Sequence, residues 1–221
     1  MLRRRFEAEL QRLENEVLGL GYMVQRAVTN AIDYLKARNL EGAQQIIDED
    51  AQINSKRFQI ESDVLVLIAT QQPMARDLRA LAAILDIIRE LERTGDYAKG
   101  IAKISLSIGD RPLMKPLIDI PRMSEKAMDM LGRALKAYVD NDPETARAIP
   151  LEDDEVDGLY NQVRLELTGL ILADRSLIEQ ANMLLWAAHN LERAADRVTN
   201  ICERVVFLAT GELGDLPSSL D

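Results

Sequence analysis

The chain has one cysteine, one histidine and one tryptophan in 221 residues, and only 4% of it is aromatic. A single cysteine excludes an internal disulfide, and Cys202 reads as a small buried core residue because a free thiol packs as a small hydrophobe. A single histidine, His189, cannot supply Glu-x-x-His motifs on two helices, which a carboxylate-bridged di-metal oxidase requires. There is no Ser/His/Asp or Cys/His arrangement, no glycine-rich phosphate loop and no zinc-type spacing, so no enzyme is expected. No apolar run approaches the roughly 20 residues of a membrane span; Val64–Ala69 is among the longest. The basic residues of Met1-Leu2-Arg3-Arg4-Arg5-Phe6-Glu7 are not followed by the apolar region of a signal peptide, so a soluble cytoplasmic protein is expected. The Arg3–Arg5 cluster is read as a solvated helix start. Basic residues are also outnumbered: the net charge is −10, which repels a phosphate backbone and argues against nucleic acid as a partner.

The chain is instead 47% hydrophobic, enough to bury a substantial core, and is rich in Leu, Ala, Ile, Glu and Arg, a mixture that favours helices. Phe6, Leu10, Leu13, Val17, Leu20, Val24, Ala27 and Ala31 are spaced alternately by four and three residues, the seam of a long helix packed nearly parallel to its neighbours. That helix is expected to end near Arg38, with Asn39 and Gly42 in a tight turn. A second helix follows over about 41–70. Pro73 suits the first turn of a third helix over about 73–107. Residues 108–116, with one Gly and two Pro, connect two halves. A fourth helix starts near Pro116–Pro121 and ends at Asn141. Asp142-Pro143 opens a fifth that runs to about 173 and kinks or restarts at Pro150. Ser176-Leu177-Ile178-Glu179 reads as a capping box for a sixth helix ending near Gly211. The tail Pro217–Asp221 is expected to fray. Short loops make neighbouring helices antiparallel, so the expected fold is all-α, two pseudo-symmetric up-down-up three-helix bundles over 1–109 and 110–221.

One phrase occurs twice at an offset of 100. Leu91-Glu92-Arg93-Thr94-Gly95-Asp96 is matched by Leu191-Glu192-Arg193-Ala194-Ala195-Asp196, and the match continues to Ile101 and Ile201. A self-match at fixed offset reports a repeated structural unit. In each copy a Glu and an Asp four apart share one helix face, beside the apolar stripe rather than opposite it. Each such pair should therefore lie near a neighbouring helix. Residues equally far from the turn of an antiparallel pair lie level, which sets Asp153 against Asp196 and Asp157 against Glu192. In the first half Asp50 and Asn54 fall within a turn of Glu92 and Asp96.

Carboxylates converging in this way raise one another's pKa unless a cation is present. A bound metal is one answer, and oxygen-only ligands suit Mg²⁺, Mn²⁺, Ca²⁺ or iron. Solvated charges with helical salt bridges are the other. His189 lies three positions before Glu192 on the same face, but Arg89 takes its place in the first copy, so it is read as structural or exposed rather than as a ligand.

Together these residues resemble the PhoU family, the regulators of bacterial phosphate uptake. The resemblance covers nearly the whole chain. It rests on Gln72-Pro73-Met74-Ala75-Arg76-Asp77-Leu78-Arg79, on the two phrases, on Asn200-Ile201 and on the closing Ala209-Thr210-Gly211-Glu212. It implies multinuclear metal clusters, of iron, manganese, magnesium or zinc, held by Glu/Asp-x-x-x-Asp pairs. Carried over, the ligands are Glu92, Asp96 and Asp50 in the first half, and Glu192, Asp196, Asp153 and Asp157 in the second. It further implies a negative regulator that couples the ATPase of a phosphate ABC transporter to a sensor histidine kinase, and a homodimer. Two departures stand out. Ala195 occupies a position where the family prefers Gly, and Asn54 replaces a better carboxylate ligand, so the first cluster is expected to be smaller or weaker. A helical adaptor without metal, binding partners through surface grooves, is the competing expectation.

Overall fold

The computed structural model describes residues 2–212, 214 and 216; the expected fraying of Pro217–Asp221 lies outside them. The fold is all-α, two three-helix bundles side by side, and no strand occurs among the described residues. The first bundle comprises α1 (Leu2–Ala37), α2 (Leu40–Gln71) and α3 (Arg76–Ile108), each packed on the other two. The second comprises α4 (Asp119–Asp140), a fifth long helix divided into α5 (Pro143–Ala148) and α6 (Asp153–Ala173), and α7 (Ile178–Thr210). The most extensive packing in the molecule joins α3 to α7, and α1 also packs on α4, so the two bundles share one continuous apolar core. Every residue of the expected α1 seam is buried or packed against that core.

The turns follow local chemistry. Asn39 caps α2 by accepting from the Gly42 N–H at 3.0 Å. Gly42 itself is required by close approach, since a Cβ there would stand 2.7 Å from the Tyr34 ring. Asp142 caps α5 through the N–H groups of Glu144 and Thr145, with Pro143 behind it, as expected. A single 3₁₀ turn, Ile149–Glu152, carries Pro150 and separates α5 from α6, because proline lacks the N–H that a continuous helix would use there. The connection after α3 is pinned rather than loose. Gln180 of α7 donates to Pro112 O at 3.0 Å and accepts from the Met114 N–H, while Arg111 covers the carbonyls of Ser107 and Ile108.

Two boundaries differ from expectation. Pro73 is not in the first turn of α3, which starts at Arg76; Gln72 (φ 48°) and Ala75 (φ 49°) both have positive φ, and the chain reverses direction over residues 72–75. Nor does Ser176 cap the last helix. Asp174 accepts from the Ser176 N–H instead, a short 3₁₀ turn spans Arg175–Leu177, and Glu179 pairs with Arg111 at 3.2 Å. The earlier carboxylate wins because Asp174 has the extended backbone that capping needs, whereas Leu177, immediately before α7, is already helical. Gly211 ends α7 in the left-handed region at φ 82°, as expected.

The junction at Pro150 is held by charge. Glu152 accepts from Arg133 at 2.7 Å on both oxygens and from Lys126 at 2.6 Å, which lowers its pKa to about 2. A carboxylate whose pKa is depressed on folding adds stability above its unfolded pKa and loses it as pH falls toward the folded value. Glu152→Gln should therefore destabilise the protein by roughly 1–2 kcal/mol at pH 7. That difference should shrink toward zero between about pH 4 and pH 2, as measured by urea unfolding of both proteins across that range.

Candidate metal centre

Each copy of the repeated phrase divides its side chains between two jobs. Leu91, Thr94 and Gly95 on α3, like Leu191, Ala194 and Ala195 on α7, are buried. The difference between Gly95 and Ala195 has a steric source: a methyl at 95 would meet the Ile53 side chain at 3.2 Å, so α2 approaches α3 closely. The acidic residues of each phrase flank these core positions and face the adjoining helix, α2 in the first half and α6 in the second.

In the second half four carboxylates lie near enough to act on one another's charge. Burial and then the neighbouring Asp196, Asp157 and Glu192 carry Asp153 up to about 7. Asp157 is raised by burial and by Asp196 and Asp154; Glu192 is raised by burial, Asp196 and Asp157, with His189 opposing. Asp196 is raised by burial, against the pull of Arg193 and Arg197. Asp153 feels Asp196 most strongly among its neighbours, as the turn at 174–175 implies, whereas Asp157, expected level with Glu192, feels Asp196 most. Glu192 Oε2 is buried without a hydrogen-bond partner; His189 Nδ1 stands 3.2 Å from it, outside hydrogen-bond geometry.

The first half is built differently. Asp50 is buried, and its Oδ2 accepts from Lys99 Nζ at 2.6 Å and from Asn54 Nδ2 at 3.0 Å. Glu92 and Asp96 are raised by burial first; Asp96 and Asp50 add to the rise at Glu92, and Asp50 adds to it at Asp96, where Lys99 and Lys103 oppose it. Lys99 is held above its ordinary pKa by its hydrogen bond to Asp50. At the matching positions the second half has Thr199 and Glu203, so no lysine enters its cluster. Sequence reasoning placed the acids but missed Lys99. The available signal was its spacing, three residues past Asp96 on the same helical face.

Among the described residues no three Asp, Glu, His or Cys side chains stand close enough as placed to enclose one ion. The donor chemistry still separates the halves. The second offers carboxylate oxygens from two rigid helices, one of them buried and unpartnered, and so fits a hard divalent cation. In the first, a metal on Asp50 would have to displace an ammonium group already bound there.

The family described as PhoU domain matches the chain twice, over residues 17–105 and 120–205. A phosphate-specific transport system accessory protein PhoU homolog of Clostridium acetobutylicum is 34% identical over 217 residues, 98% of this chain and 99% of that one. The crystal structure of the phosphate transport system regulatory protein PhoU from Streptococcus pneumoniae superposes with a TM-score of 0.88 at 34% identity, covering 96% of this chain and 100% of that one. That of PhoU from Pseudomonas aeruginosa gives 0.88 at 28% identity, covering 94% and 100%.

The cluster makes a pH dependence testable. Asp153 has a raised pKa, so the metal-free folded state holds a proton that the unfolded state has released, and stability falls as pH rises from about 4 to about 7. Asp153→Asn should reduce that decline and make the metal-free protein more stable at pH 8 by roughly 1–3 kcal/mol, with little change at pH 4. Chemical denaturation in the presence of a chelator at both pH values checks it.

Proposed function

The chain belongs to the PhoU family, and on that premise we propose that it is a cytoplasmic, non-enzymatic negative regulator of phosphate uptake and phosphate-responsive signalling. In this reading it couples the ATPase of a phosphate ABC transporter to a sensor histidine kinase, as a homodimer, and acts by binding rather than by catalysis. The match over nearly the full length to proteins named as accessory and regulatory components of phosphate transport supports that role. No helix among the described residues is long and apolar enough to cross a membrane, which fits a component that meets a transporter from outside the bilayer.

The observation that carries the metal part of the proposal is the convergence of Asp153, Asp157, Glu192 and Asp196 on α6 and α7. Burial, and then the neighbouring acids, raise Asp153, Asp157 and Glu192, and a divalent cation would offset that cost. These four residues would hold the second cluster, and Asp50, Glu92 and Asp96 a weaker first one. One observation favours the second reading, a metal-free helical adaptor: in the first half Lys99 already neutralises Asp50. The two readings divide by site. The second half carries the fuller metal site, and in the first half a weaker one competes with Lys99 for Asp50.

Elemental analysis of protein purified under metal-replete conditions separates them. Glu192→Ala/Asp196→Ala should lose most of the bound metal, Glu92→Ala/Asp96→Ala little, and Lys99→Ala should gain metal in the first half. A wild-type protein free of metal under these conditions would reject the cluster and leave the adaptor. The regulatory role is tested in cells: deletion should raise phosphate uptake and phosphate-responsive transcription at high external phosphate. Unchanged uptake and transcription would remove it.

A further inference from the structure

Trp186 is the only tryptophan of the chain, yet it is 63% exposed on α7, where burial of an indole would be strongly favoured. His189, one turn later, packs edge-on to it with ring centres 5.6 Å apart, and Tyr160 of α6 closes the other side at 6.1 Å. With Asn182 and Leu185 these rings line an open cleft of about 300 Å³.

Two features give the cleft a preference. The first is what covers aromatic rings elsewhere in the chain. Arg57 lies over Phe58 at 4.4 Å, and Arg3 over Phe6 at 5.9 Å. Among the described residues no cation of the chain lies over Trp186, Tyr160 or His189. The two guanidinium groups nearest in sequence are turned elsewhere: Arg193 toward Asp196, with Nε 3.4 Å from Oδ2, and Arg164 toward Asn161, donating to its Oδ1 at 3.4 Å. The second feature is charge. Glu192 Oε2 lies 3.2 Å from His189 Nδ1, and Asp157 precedes Tyr160 by three residues on α6, so carboxylates border the rings on both helices. The chain as a whole carries −10. Flat π faces beside acceptor oxygens suit a planar, weakly hydrated cation with several N–H donors, which describes guanidinium better than ammonium.

We propose that the Tyr160–Trp186–His189 cleft receives an arginine side chain of a protein partner. The guanidinium stacks on the Trp186 indole, its aliphatic stem lies along Leu185, and its N–H groups donate to the side-chain oxygen of Asn182, with the acidic residues beyond His189 adding long-range attraction. The long-range field of the acidic chain steers a basic segment toward this face. The proposal does not depend on metal at the neighbouring carboxylates, and its test is run in chelator so that the two stand or fall separately.

Because Trp186 is the sole tryptophan, its emission reports occupancy directly. The full-length protein is titrated with the peptide acetyl-Ala-Leu-Arg-Leu-Ala-amide, and with the same peptide carrying citrulline, the neutral isostere, in place of arginine. The arginine peptide should shift the emission saturably by about 10 mM, and the citrulline peptide should bind about tenfold more weakly. Tyr160→Ala and His189→Ala should each weaken the arginine peptide by about fivefold while leaving the thermal midpoint unchanged, since both side chains are partly exposed. Equal affinity for the two peptides would make the cleft a merely apolar groove and overturn the proposal, as would no saturable shift. An emission change that follows protein concentration without peptide, with a doubling of mass in sedimentation, would assign the cleft to a second copy and overturn it as well.

Discussion

The structure depends on the antiparallel contact of α3 with α7. Both carry fully buried leucines, Leu91 and Leu191, at the same place in the repeated phrase, and each such side chain contributes roughly 2–3 kcal/mol by leaving water. The polar pairing along the contact follows the same repeat. Glu90 accepts from Asn200 at 3.0 Å and from Arg197 at 3.2 Å, while a side chain at Gly100 would meet the Asn190 amide at 2.9 Å. Position 90 thus meets 200 and position 190 meets 100, as an approximate two-fold axis between the helices requires. With two helices locked in this way, the remaining four long helices have only their outer faces to cover.

That arrangement also fixes where the acids can go. A Glu-x-x-x-Asp pair beside a buried stripe cannot turn outward, so it lies under the next helix, half shielded from water. The cost of that shielding appears as raised pKa values in both halves, and the halves relieve it differently. The first uses its own lysine, Lys99, with Asn54 in place of a fourth acid. The second keeps four acids and no lysine, and Arg193 and Arg197 offset its repulsion only enough to leave Asp196 raised by burial. One backbone plan thus provides a self-neutralised site and an open one. The open site continues along α6 and α7 into the cleft of Tyr160, Trp186 and His189, so its two helices present an acidic region and an aromatic one within a turn of each other.

Much of this was legible without coordinates. The spacing of apolar residues determined six long helices, and Asn39, Asp142, Pro150 and Gly211 marked their ends, because caps and proline act within a few residues. The repeat at offset 100 determined the two-fold plan, and counting from the turns set Asp153 against Asp196, though not which acid dominates at Asp157. Other features rest on tertiary structure alone. The chain between α2 and α3 reversed direction with two residues at positive φ, and Asp174 rather than Ser176 took the capping role, since each depends on where the neighbouring helix lies. Lys99 reaches Asp50 from 49 residues away, and the exposure of Trp186 beside Tyr160 depends on the rotation of α6 against α7. Periodicity determines which face of a helix is buried; the distance between two side chains on different helices depends on how those helices pack.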